Sequence, residues 1–483
     1  MSEQTIQLTV FCLVLGAIAV LTYIKCRGKT NRSINSNKEY FLAGGGLTWV
    51  FVAGSITLTN LSTDQLVGMN GNQMLLVALW ELSGFVGLMI LAKVFLPVYY
   101  QNNCTTTTEL LERRYNSKHV RGLVSAMFLF INVFVFQPAV IYTGALFMIS
   151  MTGIDVDLLT IAIAFAVFGA AYAVLGGLRA VAVSDTYGGA LVLVMGLLVV
   201  ALSLIAIDFD FSGIPAERLT LIGDSASPIP WHTLLTGMLF IQIFYWSTNQ
   251  TITQRAMAAP TVGEAQKGVY AAAFIRVVFI PSMVVIPGIV AFKLYGDIGD
   301  QAYGRIVGDL LPNWLLGVFA AAIAAAVLST FNSLVNSSAA MYVCDLHEAY
   351  INDKPNLRVL SGIATIIFVV IAVAMVPIYA QSESIINLLQ ELWGLISMPI
   401  LACFTVGLLF SNVDYRAAII AVISGVVMYA SFIWIWAPLH YIHMMFVTFF
   451  SCIGLALFIN RFILGNRAEF IGLQLEAPKQ SIS

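Results

Sequence analysis

The sequence predicts an all-α, polytopic membrane protein with about thirteen transmembrane helices. Three observations carry this. The 483-residue chain is 59% hydrophobic and only 10% charged, with mean hydropathy +0.90, whereas soluble domains carry about a quarter charged residues. Its apolar stretches repeatedly reach the ~20 residues that a helix needs to cross a bilayer. Two of those stretches are interrupted by polar segments. A formal net charge of −2 argues against a nucleic-acid partner.

In chain order the expected spans are 5–25, 47–72, 74–100, 121–151, 156–176, 183–206, 231–254, 267–293, 312–345, 357–379, 384–410, 414–436 and 440–463. Two of them run long, which implies tilt or an embedded break. No basic segment precedes the first span, so it reads as a retained anchor and not a cleaved signal peptide. Lys25, Arg27, Lys29, Arg32 and Lys38 follow that span. Arg113, Arg114, Lys118 and Arg121 follow the third, Arg179 the fifth, and Arg255 and Lys267 the seventh. The alternate loops are acidic or neutral, as in Asp155-Val-Asp157 and Asp208-Phe-Asp210. Positive loops stay in the cytoplasm, so the N-terminus is expected outside and the C-terminus inside. The setting this implies is a plasma membrane of the bacterial inner-membrane type.

The six cysteines, Cys12, Cys26, Cys104, Cys344, Cys403 and Cys452, are scattered. None has metal-site spacing, and no disulfide framework is expected. The five histidines are dispersed. Arg27-Gly-Lys-Thr30 resembles the end of a phosphate loop, but Tyr23 stands where its first glycine belongs and no strand precedes it. No catalytic constellation emerges, and an enzyme is not expected.

The most informative segment is Asn60-Leu-Ser-Thr-Asp-Gln65, followed by Gly68-Met-Asn-Gly71. A polar, glycine-containing break at membrane depth strands backbone groups, which is tolerated where protein or a watery cavity satisfies them. Transporters hold ions and substrates at such breaks. A kinked structural helix is the plainer reading. The span 231–254 carries a second interruption, Gln242-Ile-Phe-Tyr-Trp-Ser-Thr-Asn249-Gln250, which suggests two related halves.

Glu81 lies inside the third span, where an ionisable group costs about 2.5–3.5 kcal/mol on insertion scales and marks a pathway or site. Arg276 follows Lys267 by nine residues, so it lies roughly 13 Å up its helix. A Glu81–Arg276 pair across a cavity would offset both desolvation costs. Asp185 reads either as an acid at a helix N-terminus, favoured by the dipole, or as part of a cation relay. Ser329 and Thr330 close the small-residue run Ala324-Ala-Ala-Val-Leu, which suits close helix packing. Their hydroxyls also suit a hard cation. Gln65, Gln242 and Gln390 both donate and accept hydrogen bonds, as a polyhydroxylated ligand requires.

These motifs together resemble the sodium/solute symporter family, most closely its sodium/galactose and sodium/glucose branch. The matching stretches are Glu39-Tyr-Phe-Leu-Ala-Gly44, Asn60 through Gly71, Gly176-Gly-Leu through Asp185, Tyr245-Trp246 through Gln254-Arg255, Gly263-Glu-Ala-Gln-Lys-Gly268, and Asn332 through Asp345. They cover almost the whole chain in the family's order. The resemblance implies a leucine-transporter-like core of two inverted five-helix repeats. The division expected is an extra helix and loop at 1–46, a transport core at 47–410 with repeats of about 47–206 and 231–410, two further helices at 411–463, and a cytoplasmic tail at 464–483.

The same resemblance implies a sodium site made by the carbonyls of Leu58, Leu61 and Ala326 with the hydroxyls of Ser329 and Thr330, and with Asp185 nearby. It implies a sugar site made by Gln65, Glu81, Gln242, Arg276 and Gln390. Asn60 would join the break to the ligand, and Tyr245 would cap the sugar with Trp246 beside it. Sodium-driven symport of a hexose-like sugar is therefore the expected function. Sialic acid, inositol or a small organic acid are alternative substrates, and a sensor or passive channel on the same scaffold is a remoter one. Four positions depart from the galactose-type pattern. Gly84 replaces serine, Gln242 asparagine, Arg276 lysine and Gly188 glutamine. Arg276 turns a point charge into a planar fork, which leaves an acidic sugar open.

Overall fold

The computed structural model describes residues 3–26, 41–225, 227, 229–352, 354–381 and 385–473; the side chains of 3–4, 171–177 and 386–387 are also outside the description. The basic loop residues Arg27, Lys29, Arg32 and Lys38, the motif residues Glu39 and Tyr40, and Lys479 of the tail therefore lie outside it.

The chain is a helical bundle. Helix α1 is Glu3–Cys26, α2 Trp49–Asn60, α3 Thr63–Gly71, α4 Leu75–Gln101, α5 Glu109–Tyr115, α6 Lys118–Thr152 and α7 Leu158–Ala206. Helices α8 (Gly237–Ser247), α9 (Gln250–Met257), α10 (Val262–Tyr295), α11 (Ala302–Leu310) and α12 (Asn313–Tyr350) follow. Then come α13 (Leu357–Tyr379), α14 (Ile385–Leu409), α15 (Tyr415–Trp434) and α16 (Tyr441–Ile463). Phe410–Ser411 and Glu469–Phe470 form a short antiparallel pair beyond α14.

Ten helices among the described residues are long and apolar enough to cross a membrane. Of the three expected spans outside that set, two are interrupted: span 47–72 is split into α2 and α3, and span 231–254 into α8 and α9. Span 156–176 begins with the stretch Leu158–Ala170, which ends where the side chains of 171–177 fall outside the description. That stretch is continuous in helix assignment with Leu178–Ala206, but the two halves of α7 are not collinear. Gly169 abuts Phe331, whereas Gly188 abuts Ala325. Nineteen residues of straight helix would separate the two glycines by ~28 Å, far more than six residues of α12 allow.

Both interruptions are real breaks. After Asn60, Leu61 leaves the helical region (φ −77°, ψ 69°) and Ser62 is extended (φ −100°, ψ 174°). The Ser62 N–H donates to the Asn60 carbonyl at 2.9 Å, while Leu61 N–H donates to Thr57. The Leu58 carbonyl thus loses its helical partner. The second break falls at Thr248 and Asn249. Asn249 is extended (φ −68°, ψ 118°), and its side chain caps α9 by accepting from Thr251 N–H at 3.0 Å, the usual work of an N-cap amide.

One packing contact explains a polar residue near the first break. Pro287 inside α10 has no N–H, which orphans the Met283 carbonyl four residues back. Asn70 is fully buried and repairs the gap, donating to Met283 O at 3.1 Å and accepting from Gly288 N–H at 2.8 Å. Gly288 is what lets the two backbones meet. A Cβ there would lie 2.2 Å from the Asn70 carbonyl oxygen.

Candidate functional site

The two breaks face each other across a cavity of about 110 Å³. Asn60, Ser62, Asp64 and Gln65 line it from the first break, and Gln242, Tyr245, Asn249 and Thr251 from the second. Glu81 enters from α4, Arg276 from α10, Thr330 from α12, and Gln390 and Trp393 from α14. Of the residues singled out for a sugar, only Trp246 is absent from this wall.

A continuous hydrogen-bonded chain runs along the wall. Gln65 Nε2 donates to Glu81 Oε1 at 3.1 Å, and Arg276 Nη2 lies 2.8 Å from Glu81 Oε2. Arg276 Nη1 donates to Asn60 Oδ1, and Asn60 Nδ2 donates to the Tyr245 hydroxyl at 3.0 Å. Glu81 is fully buried and Arg276 nearly so. Each satisfies a charge that would otherwise be costly to bury. Gln65 Oε1 remains buried without a partner, an acceptor still in need of a donor.

Trp246 stands one layer behind the wall and so corrects its expected role. It is buried; the Arg276 guanidinium lies 4.3 Å from its ring, and its Nε1–H donates to Gln242 Oε1 at 3.0 Å. Gln242 Nε2 is held by the Trp80 carbonyl at 2.7 Å and the Ser83 hydroxyl at 3.0 Å. Trp246 therefore contacts both Gln242 and Arg276. Gly84 belongs to the same arrangement. A Cβ there would sit 2.5 Å from Arg276 Nε and 3.0 Å from Trp246 Nε1. The guanidinium thus occupies the space that a side chain at position 84 would take.

The other candidate residues converge beside the first break. Thr330 Oγ1 donates to the Thr59 carbonyl at 3.4 Å, and the Thr59 and Ser333 hydroxyls meet at 3.3 Å. Ser329 Oγ is buried and faces the Asp185 carboxylate. The break leaves the Leu58 and Leu61 carbonyls without backbone donors, and Ala326 lies one turn before Thr330 on α12. This is an all-oxygen donor set of the kind a hard cation takes. Asp185 is fully buried within α7 and accepts from Ser55 Oγ at 2.6 Å, with Ser329 beside it.

Three groups of the site went unnoticed in the sequence. Asp64 lies in the very segment that signalled the break. Trp393 follows Gln390 at the i+3 spacing that shares a helix face; it packs edge-on to Tyr245, with centroids 5.8 Å apart. Phe136 backs it at 4.4 Å, and nothing local distinguishes Phe136 from other apolar residues.

Broken helices around a polar, partly unsatisfied cavity, in a bundle of membrane-crossing helices, define a secondary transporter. The chain belongs to the sodium:solute symporter family, whose model matches residues 40–425. It is a sodium-coupled solute symporter. It is 34% identical over 439 residues to the uncharacterized symporter YidK of Escherichia coli K12, covering 85% of this chain and 76% of that one. It is 30% identical over 430 residues to a sodium/glucose cotransporter of Vibrio parahaemolyticus, covering 81% and 78%. Human sodium/myo-inositol cotransporter 2 is 26% identical over 447 residues, covering 83% and 66%. Among solved structures, a Na+-coupled sialic acid symporter in an outward-open state superposes with TM-score 0.83 at 16% identity, over 96% of this chain and 99% of that one. That likeness is one of fold.

Proposed function

We propose that this protein carries a neutral hexose-like sugar, of the galactose or glucose type, into the cell with sodium by alternating access. The observation that carries the reading is the wall Gln65–Glu81–Arg276–Asn60–Tyr245, with its unsatisfied Gln65 acceptor. A sugar hydroxyl both donates and accepts, so it can complete such a chain. Trp393 and Tyr245 offer aromatic surface to the sugar's apolar face. Sites of this kind reject analogues lacking a hydroxyl, because buried partners are then left unpaired. The Vibrio relative named for glucose supports the same substrate class.

Sodium would bind the carbonyls of Leu58, Leu61 and Ala326 and the hydroxyls of Ser329 and Thr330, with Asp185 as the neighbouring acid. Sodium there would order the break, and the ordered break would present Asn60 and Gln65 to the sugar. Tyr245 would then release the sugar inward. The ten-helix core would be 47–410, in repeats of about 47–206 and 231–410, with the N-terminus outside a bacterial inner membrane and the C-terminus inside.

Inositol is a second reading, since it is also a neutral polyol and the human relative is named for it. The test is uptake of labelled galactose, glucose, myo-inositol and sialic acid into proteoliposomes, with and without an inward sodium gradient. Ser329→Ala and Glu81→Ala run alongside. Sodium-dependent hexose uptake, lost in both variants, is the expected result. Uptake of sialic acid alone overturns the neutral-sugar reading. Linkage adds a second check: sodium must raise sugar affinity by the factor that sugar raises sodium affinity.

A further inference from the structure

Asp64 is a carboxylate on the cavity wall to which no role has been given. It lies in the first turn of α3, and the Ser62 hydroxyl donates to it. Three charged side chains line the cavity: Asp64, Glu81 and Arg276. Glu81 and Arg276 neutralise each other at 2.8 Å, which leaves one negative charge facing the ligand.

Arg276 does not offset it. Its Nη1 is taken by Asn60, its Nη2 by Glu81, and one face by Trp246. Nε abuts the bare Cα of Gly84, and one N–H on each of Nη1 and Nη2 is left over. The positive charge of the fork that left an acidic sugar open in the sequence is nevertheless already paired with Glu81.

We propose that Asp64 is a charge filter of the substrate cavity: it admits neutral and amine-bearing sugars and rejects carboxylated ones. The proposal rests on the sugar-symporter reading and adds its charge class. Unit charges about 8 Å apart, at the effective dielectric of a protein site, change an equilibrium by roughly tenfold or more. A uronate would meet this repulsion with no free cation to answer it. A protonated amino sugar would be attracted.

The experiment is displacement of a labelled hexose from sodium-loaded protein in proteoliposomes by glucose, glucosamine and glucuronate. Wild type is compared with Asp64→Asn and Asp64→Ser. Both replacements remove the charge, and both keep an oxygen that can accept from the Ser62 hydroxyl. The expected result is that glucuronate competes poorly in wild type. In both variants its potency relative to glucose rises roughly tenfold, and any advantage of glucosamine disappears. Unchanged ratios, or equal loss of all three sugars in both variants, would make Asp64 a structural partner of Ser62 only and overturn the proposal. Absence of sodium-dependent hexose binding and uptake in wild type would instead overturn the sugar reading, and the filter with it.

Discussion

Two buried ion clusters in this protein are built from the same chemistry and finished differently. One is the cavity wall. The other lies where α5 and the start of α6 meet α12, around Asp345, which is fully buried. Asp345 Oδ1 accepts from Thr106 Oγ1 at 2.7 Å and Arg121 Nε at 2.8 Å; Oδ2 accepts from Thr108 at 2.6 Å and Ser125 at 2.5 Å. Arg121 spends its other nitrogens on Glu112 at 2.7 Å and Glu109 at 3.1 Å. No polar atom of Asp345, Arg121 or Glu109 is left over among the described residues. At the cavity, Gln65 Oε1 remains unpartnered. A saturated network fixes a packing arrangement, whereas an unsaturated one at a cavity awaits a ligand. The leftover atom distinguishes the two clusters.

That contrast breaks most visibly under neutralising substitutions. Asp345→Asn puts an amide N–H where one carboxylate oxygen accepted and weakens hydrogen bonds to a charged group, which costs about 1.5–3 kcal/mol of stability. Its thermal midpoint in detergent should fall sharply, while the sugar KM of the folded fraction stays unchanged. Glu81→Gln should act on both readouts. It weakens hydrogen bonds to a charged group worth about 1.5–3 kcal/mol, so sugar binding falls roughly 10- to 150-fold, and the buried Arg276 left without its counter-charge lowers the midpoint as well. If Asp345→Asn alters KM as strongly as Glu81→Gln does, the distinction between the clusters fails.

A smaller effect sharpens the cavity side. Gly84→Ser places atoms within 2.5 Å of Arg276 Nε, so the guanidinium must leave Trp246 or Glu81. Sugar affinity should drop about tenfold, of order 1.4 kcal/mol. Adding Arg276→Lys removes the crowded fork and should restore most of the loss. A double variant no better than the single one would show that Gly84 and Arg276 are independent.

Much of this was legible in the sequence because membranes make polar residues conspicuous. Asn60 through Gln65 announced the break, and counting nine residues from Lys267 placed Arg276 deep enough to meet Glu81. Trp246 was expected on the wall with Tyr245 but stands behind it. Neighbours on a helix point about 100° apart, and which of the two would line the cavity was not readable from spacing alone. Asp64 escaped because its polar neighbours already explained the segment. The Asp345 cluster was not readable. Thr106, Thr108, Ser125 and Asp345 are joined across more than 200 residues of chain, and hydroxyls in apolar helices satisfy themselves locally just as often.

The mildest prediction concerns charge outside the spans. Asp300 sits in the connection between α10 and α11, against Gly71 at the end of α3, and accepts from Ile385 N–H at 3.2 Å. Burial raises its pKa to about 6, against an ordinary 3.8. Burial likewise raises Glu109, against the pull of Arg121. A carboxyl whose folded pKa is raised binds its proton more tightly when folded. Its destabilising contribution is absent below the unfolded pKa, grows as pH rises from about 4 to about 6, and is complete above that. Stability should therefore fall over that window, by about 1–3 kcal/mol for Asp300. Asp300→Asn keeps an acceptor for Ile385 and carries no titrating proton, so it should flatten most of the slope and leave the share due to Glu109. Thermal midpoints of both proteins in detergent at pH 4.5, 5.5 and 6.5 measure this. Parallel slopes would place the titration elsewhere, whereas a flatter Asp300→Asn slope would make the Asp300 contact with the end of α3 a pH-dependent support for the second half of the broken helix.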